Sequence, residues 1–169
     1  MLGLAALGNL LQSYSNTIRI VCGVFSAFLL VLLLLKLICD FSGVKKDMGT
    51  PIVAGVSGTF PMALMLLSTY IAPAVGLGAA KAVWYFAIAL HIILIVYFTV
   101  KYIFHFKLEK VFTVYYIVYV GIAVAGVTAP AFNALKFGAF TFWFGLITFI
   151  LLFIAVTMRY AKLPVPAPA

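Results

Sequence analysis

The sequence predicts an all-α polytopic membrane protein, and three observations predict it. Apolar residues fill 67% of the 169 positions and charged ones 8%, against roughly 45–50% and about 25% in soluble domains. The apolar residues gather into runs long enough to cross a hydrocarbon core of ~30 Å, which takes ~20 helical residues. Each run is apolar all round, as a lipid-embedded helix is and a surface helix is not. Barrel strands are excluded, because they alternate over ~10 residues and no such alternation occurs.

The elements follow in order. Met1 to Leu11 is apolar, with small residues Gly3, Ala5, Ala6 and Gly8, yet a helix of that length rises only ~16 Å. Residues 1–17 therefore read as the end of a first span plus an external loop; an interfacial helix would carry a charged face. Five full spans are expected at 18–38, 51–72, 82–100, 111–129 and 137–158. The connectors hold turn residues: Ser42, Gly43 and Gly49; Pro73, Gly76 and Gly78; Pro130 and Asn133. The remaining connector, Lys101 to Lys110, third in chain order, is a basic interfacial stretch. Thr50-Pro51 reads as an N-cap with proline at the first helical position. Residues 159–169 read as a cytoplasmic Pro-rich linker, since Leu163 to Ala169 alternates proline with small residues and cannot extend a helix.

The net charge of +8 does not mark a nucleic-acid partner, because the basic residues sit singly at the ends of apolar runs rather than on one face. They set orientation instead. Lys36, Lys45, Lys46, Lys101, Lys107, Lys110, Arg159 and Lys162 fall on one side, and Arg19, Lys81 and Lys136 on the other. The side richer in Lys and Arg is cytoplasmic, so the C-terminus is expected inside. Cys22 and Cys39 lack metal or redox spacing and read as small buried hydrophobes. No cofactor is expected. Asp40, Asp47 and Glu109 all lie in connectors, so no paired carboxylates face a reaction site, and no His/Cys/Asp cluster has metal spacing.

Thr50 to Tyr70, with its Phe60-Pro-Met-Ala63 core, resembles the third span of the tellurite-resistance/dicarboxylate transporter family, which includes plant slow anion channels and yeast malate transporters. Tyr119 to Phe132, with Thr128-Ala-Pro-Ala-Phe132, looks like its fifth span, and Leu4 to Leu10 like the end of its first. The resemblance implies a ten-helix bundle of helical hairpins around a central pore, with odd-numbered helices lining it. This chain would supply the end of the first helix and helices two to six, as a truncated fragment. The implied setting is a bacterial plasma membrane, the implied assembly a homotrimer in the lipid bilayer. The implied cargo is a small anion: a C4-dicarboxylate such as malate, tellurite, or an inorganic anion.

Gly55, Ser57, Gly58, Thr59, Phe60 and Pro61 form the candidate pore face of the third span, and Gly121, Ala125, Thr128 and Pro130 that of the fifth. On the residues alone, helix packing is the simpler account of these small side chains; the resemblance favours pore lining. Phe60 and Phe132 are large enough to narrow a pore, though core or lipid contact is the plainer role for either. His91, the one ionisable group near a span centre, reads first as an imidazole bonded to a neighbouring helix. Cation and proton paths need carboxylates within the spans, and these spans hold none. The alternative function is a non-transporting scaffold that binds partner helices; an enzyme is not expected.

The division of basic residues generates a topological prediction. A reporter fused after Lys162 is expected in the cytoplasm, and one inserted between Pro73 and Lys81 outside. A cytoplasmic signal from the second site reverses the orientation.

Overall fold

The computed structural model describes residues 1–104 and 111–162. Its helices form three consecutive hairpins. The first pairs α1 (Leu2–Leu10) with α2 (Asn16–Cys39). A short α3 (Phe41–Asp47) leads to the second, in which α4 (Pro51–Val56) and α5 (Thr59–Val75) return through α6 (Leu77–Phe98). The third joins α7 (Tyr115–Tyr119) and α8 (Ala123–Thr128) to α9 (Leu135–Lys162). Among the described residues four stretches are long and apolar enough to cross a membrane: Asn16–Cys39, Pro51–Val75, Leu77–Ile103 and Leu135–Lys162. The fifth predicted span, 111–129, is two short helices and a 3₁₀ turn rather than one rod.

Local chemistry sets these boundaries. The Thr50 hydroxyl accepts the Val53 N–H at 3.4 Å ahead of Pro51, the pairing expected from sequence. Asp40 caps α3 by accepting the Gly43 N–H at 3.0 Å. The second hairpin turns at Gly76, whose φ of +86° suits a residue without Cβ. Lys81 and Gly78, read as connector residues, therefore belong to α6, while α5 runs on through Pro73 to Val75. The third hairpin turns at Asn133, at φ +52°, one of the few side chains that tolerates the left-handed region. Helix α9 continues through Lys162, beyond the expected end at Met158; the proline-rich 163–169 lies outside the described residues, as do His105, Lys107, Glu109 and Lys110.

The hairpins stand side by side in an arc. Helix α5 touches α1 on one flank and α8 on the other, while α2, α6 and α9 pack chiefly on the outer side of that row. Burial separates the layers: half of the third span is buried, against 17% of α2 and 17% of α9. Lipid takes the place of a protein neighbour on those outer helices, so their exposed Phe28, Leu32, Phe142 and Phe153 are in order. Cys22 is buried as expected, whereas Cys39 is exposed at the C-terminal end of α2; an apolar run in lipid needs no burial to hold such a residue.

Between the layers small residues admit large ones. The Tyr70 ring lies against Gly23, and its hydroxyl donates to the Ala5 carbonyl at 2.6 Å. Trp84 is fully buried against Phe132, ring centroids 5.2 Å apart, and its Nε1–H donates to the Thr128 hydroxyl at 2.8 Å. Phe132 is thus a core residue, not a pore constriction. At the far end, the Met48 carbonyl accepts from the Tyr97 hydroxyl, the Tyr102 hydroxyl and the Lys101 ammonium, at 3.1, 3.1 and 3.3 Å. That clasp ties the connector after α3 to the end of the second hairpin.

The α8–α9 contact gives a stability prediction. A Cβ on Gly138 would stand 2.5 Å from the Ala129 Cβ, while one on Gly78 meets nothing within 4 Å. Gly138→Leu is expected to lose ~1–3 kcal/mol through overpacking, and Gly78→Leu much less. Thermal unfolding in mild detergent reads the difference, and equal melting of both variants contradicts the close approach.

Candidate functional site

The inner row is broken twice, once in each span that sequence marks as pore lining. In the third, Pro61 has no N–H to offer the Ser57 carbonyl, and its ring crowds that carbonyl. The helix yields one turn earlier, at Ser57–Gly58. There the Gly58 N–H reaches back only to Gly55 and the Phe60 N–H only to Ser57, at 3.2 and 3.0 Å. Side chains take up carbonyls beside the break: the Ser57 hydroxyl donates to Ala54 at 2.7 Å, and the Thr59 hydroxyl to Val56 at 2.8 Å. Such back-bonding bends a helix.

The fifth span breaks at Val120–Ile122 without a proline. The Val120 and Gly121 N–H groups both go to the Tyr116 carbonyl, and the Ala123, Val124 and Ala125 N–H groups reach back to Val120, Gly121 and Ile122. The carbonyls of Ile117, Val118 and Tyr119 are passed over. An open carbonyl in lipid costs several kcal/mol, and α6 provides a donor: His91 Nε2 lies 2.9 Å from the Val118 oxygen. A carbonyl only accepts, so Nε2 carries the proton that meets it, while Nδ1 is buried without a hydrogen-bond partner. His91 is fully buried, and its Cε1 lies against Gly121, where a Cβ would come within 3.1 Å. The imidazole bonded to a neighbouring helix, expected from sequence, is what the structure shows, and the helix it serves is the broken one.

The predicted pore residues divide into three groups. Gly55, Gly58, Gly121 and Ala125 are buried contact positions: Gly55 faces Val114, Gly58 faces Ile117 and Leu94, Gly121 faces Met62 and His91, and Ala125 joins the Trp84 core. Ser57, Thr59, Phe60 and Pro61 line an apolar cavity of about 480 Å³ between the first two hairpins, beside Leu33, Leu37 and Leu94. Thr128 and Pro130 line a second cavity of about 370 Å³ at the opposite end, with Asn9, Gln12, Arg19, Thr69, Val127 and Ala131. This second cavity is where α1, α5 and α8 converge. Arg19, Asn9 and Thr69 escaped the sequence reading; the available signal was Pro73, which leaves the Thr69 carbonyl without its helical donor.

The sequence profile of the voltage-dependent anion channel family, SLAC1, matches residues 1–169. The chain belongs to that family. Comparison with curated proteins returns no match. As a SLAC1-family chain with four long apolar helices, it is an integral membrane protein of a channel and transporter family. Among the described residues no group of three His, Cys, Asp or Glu side chains could hold a metal ion.

The histidine gives the test of the second break. His91→Leu strands the Val118 carbonyl and is expected to cost ~1–3 kcal/mol, with His91→Gln recovering part of it through its own N–H. Detergent melting curves measure both; a His91→Leu protein as stable as the parent shows that the carbonyl has another partner.

Proposed function

We propose that this chain is one wall of a conduit for small anions, with α1, α5 and α8 as its conducting side. Family membership over residues 1–169 carries the reading, and the arc supports it by putting three odd-numbered spans in one row. Their shared side is uncovered near the Arg19 end, where Leu10 and Val127 are 74% and 76% exposed. A closed conduit needs further helices opposite that side, from added chain or another copy, because polar groups left facing lipid are costly. Inorganic anions, C4-dicarboxylates and tellurite make up the substrate class, and the trimer and the cytoplasmic C-terminus belong to the same proposal. The only acidic side chains among the described residues are Asp40 and Asp47, at the end away from Arg19, so nothing in the described part of the wall repels an anion. The scaffold alternative loses its footing, since Gly55, Gly58 and Gly121 are already occupied by contacts within the chain.

Flux in liposomes tests the proposal. The 169-residue chain alone is expected to pass no anions, and chain closed into a full bundle by complementary helices to pass them selectively. Val127→Trp should then lower flux severalfold, while Ile147→Trp on the lipid-facing side of α9 should not. Equal effects at the two positions, or no flux from the closed bundle, sink the reading.

A further inference from the structure

Arg19 is held in a way that ordinary interfacial arginines are not. Pro73 has no N–H, so the Thr69 carbonyl one turn back lacks its helical partner, and Arg19 Nη2 donates to it at 3.0 Å. The guanidinium also lies over the Tyr70 ring, 4.7 Å from its centroid, and that ring is pinned by its own bond to Ala5. Nε is buried without a partner, and Nη1 meets no acceptor among the described residues. The side chain is therefore fixed from below while its charge is left unanswered. Asp40, the nearer acidic residue in sequence, caps the far end of α2, about 31 Å away at 1.5 Å per residue.

That fixed cation lines the cavity of about 370 Å³ together with Asn9, Thr69 and Thr128. The Asn9 amide donates to the Thr69 hydroxyl at 3.4 Å, so the polar groups support one another rather than close the space. A preorganised cation, polar neighbours and no carboxylate make a site for a small anion, whose binding meets little ordering cost. We propose that Arg19 is the fixed cation of an anion-binding site at the mouth of the row α1–α5–α8, a halide or small oxyanion being its ligand. The site rests on the anion-conduit reading and names where that path first holds its cargo.

Chloride is the probe, read by ³⁵Cl NMR line broadening with the purified full chain in uncharged detergent. The parent should broaden the line in a manner that nitrate displaces. Arg19→Gln should weaken this about tenfold or more, the scale of a lost charge-assisted contact, and Arg19→Lys should keep most of it. Ala131→Glu, at an exposed position on the cavity rim, should abolish binding by placing a carboxylate there, and it carries the test if Arg19→Gln does not fold. Lys136→Gln, at the same end but outside the cavity, should bind as the parent does. Displaceable broadening that survives Ala131→Glu, or a folded Arg19→Gln that binds as the parent does, overturns the site, as does a parent that broadens nothing. Flux from the closed bundle without chloride binding removes the site and leaves the conduit; chloride binding with no flux from the closed bundle does the reverse.

Discussion

A backbone carbonyl released from its helix inside a bilayer must find another donor, and this requirement organises the whole inner row. Three of the released carbonyls show how: Ser57, freed through Pro61, Thr69 through Pro73, and Val118 through the break at Gly121. Each finds a different replacement. Ser57 takes the N–H of Phe60, Thr69 takes Arg19, and Val118 takes His91. Two of those donors come from helices outside the broken one, so the irregularity of α5 and α7 becomes a set of bonds between hairpins. Regular helices could not be joined this way, since their carbonyls are all engaged.

The same requirement explains the division of labour between layers. Helices α2 and α9 are unbroken and show lipid mostly apolar side chains, with hydroxyls such as Thr148 turned back onto their own carbonyls at 2.9 and 3.0 Å. The two breaks at Ser57–Gly58 and Val120–Ile122 lie in the row shielded by them, where irregular backbone is tolerated in a membrane. The two breaks also lie together, because Ile117 lies against both Gly58 and Gly121, and Met62 of α5 lies against Gly121. Below them α4 packs on α7, and above them α5 packs on α8, which leaves the breaks as a layer between two continuous blocks.

Much of the fold was legible because hydropathy and lipid leave few alternatives for a long apolar run. The Thr50 cap and the family resemblance were on the surface of the sequence. The breaks were not. A proline such as Pro61 is visible, but its effect falls on the carbonyl four residues earlier; Gly121 has no proline at all, and its break depends on a histidine from another helix. For the same reason the candidate site was only partly read. Thr128 and Pro130 do line the cavity beneath the exposed inner face. Gly55, Gly58, Gly121 and Ala125 look like pore residues because they are small, but smallness served close contact between spans. Arg19 was counted for its sign, and its fixation by Thr69 needed the third dimension.

The fifth span carries a consequence for how such a chain enters the membrane. Helix α7 has five residues and α8 six, rising only ~8–9 Å each, so neither half resembles a finished transmembrane rod. A segment that leaves the translocon as a straight helix must later give up the bonds around Gly121, and it has no reason to do so until His91 waits beside Val118. The second hairpin is therefore a template for the third: its insertion has to come first, and the bent form of the fifth span is acquired by docking rather than carried in from the ribosome.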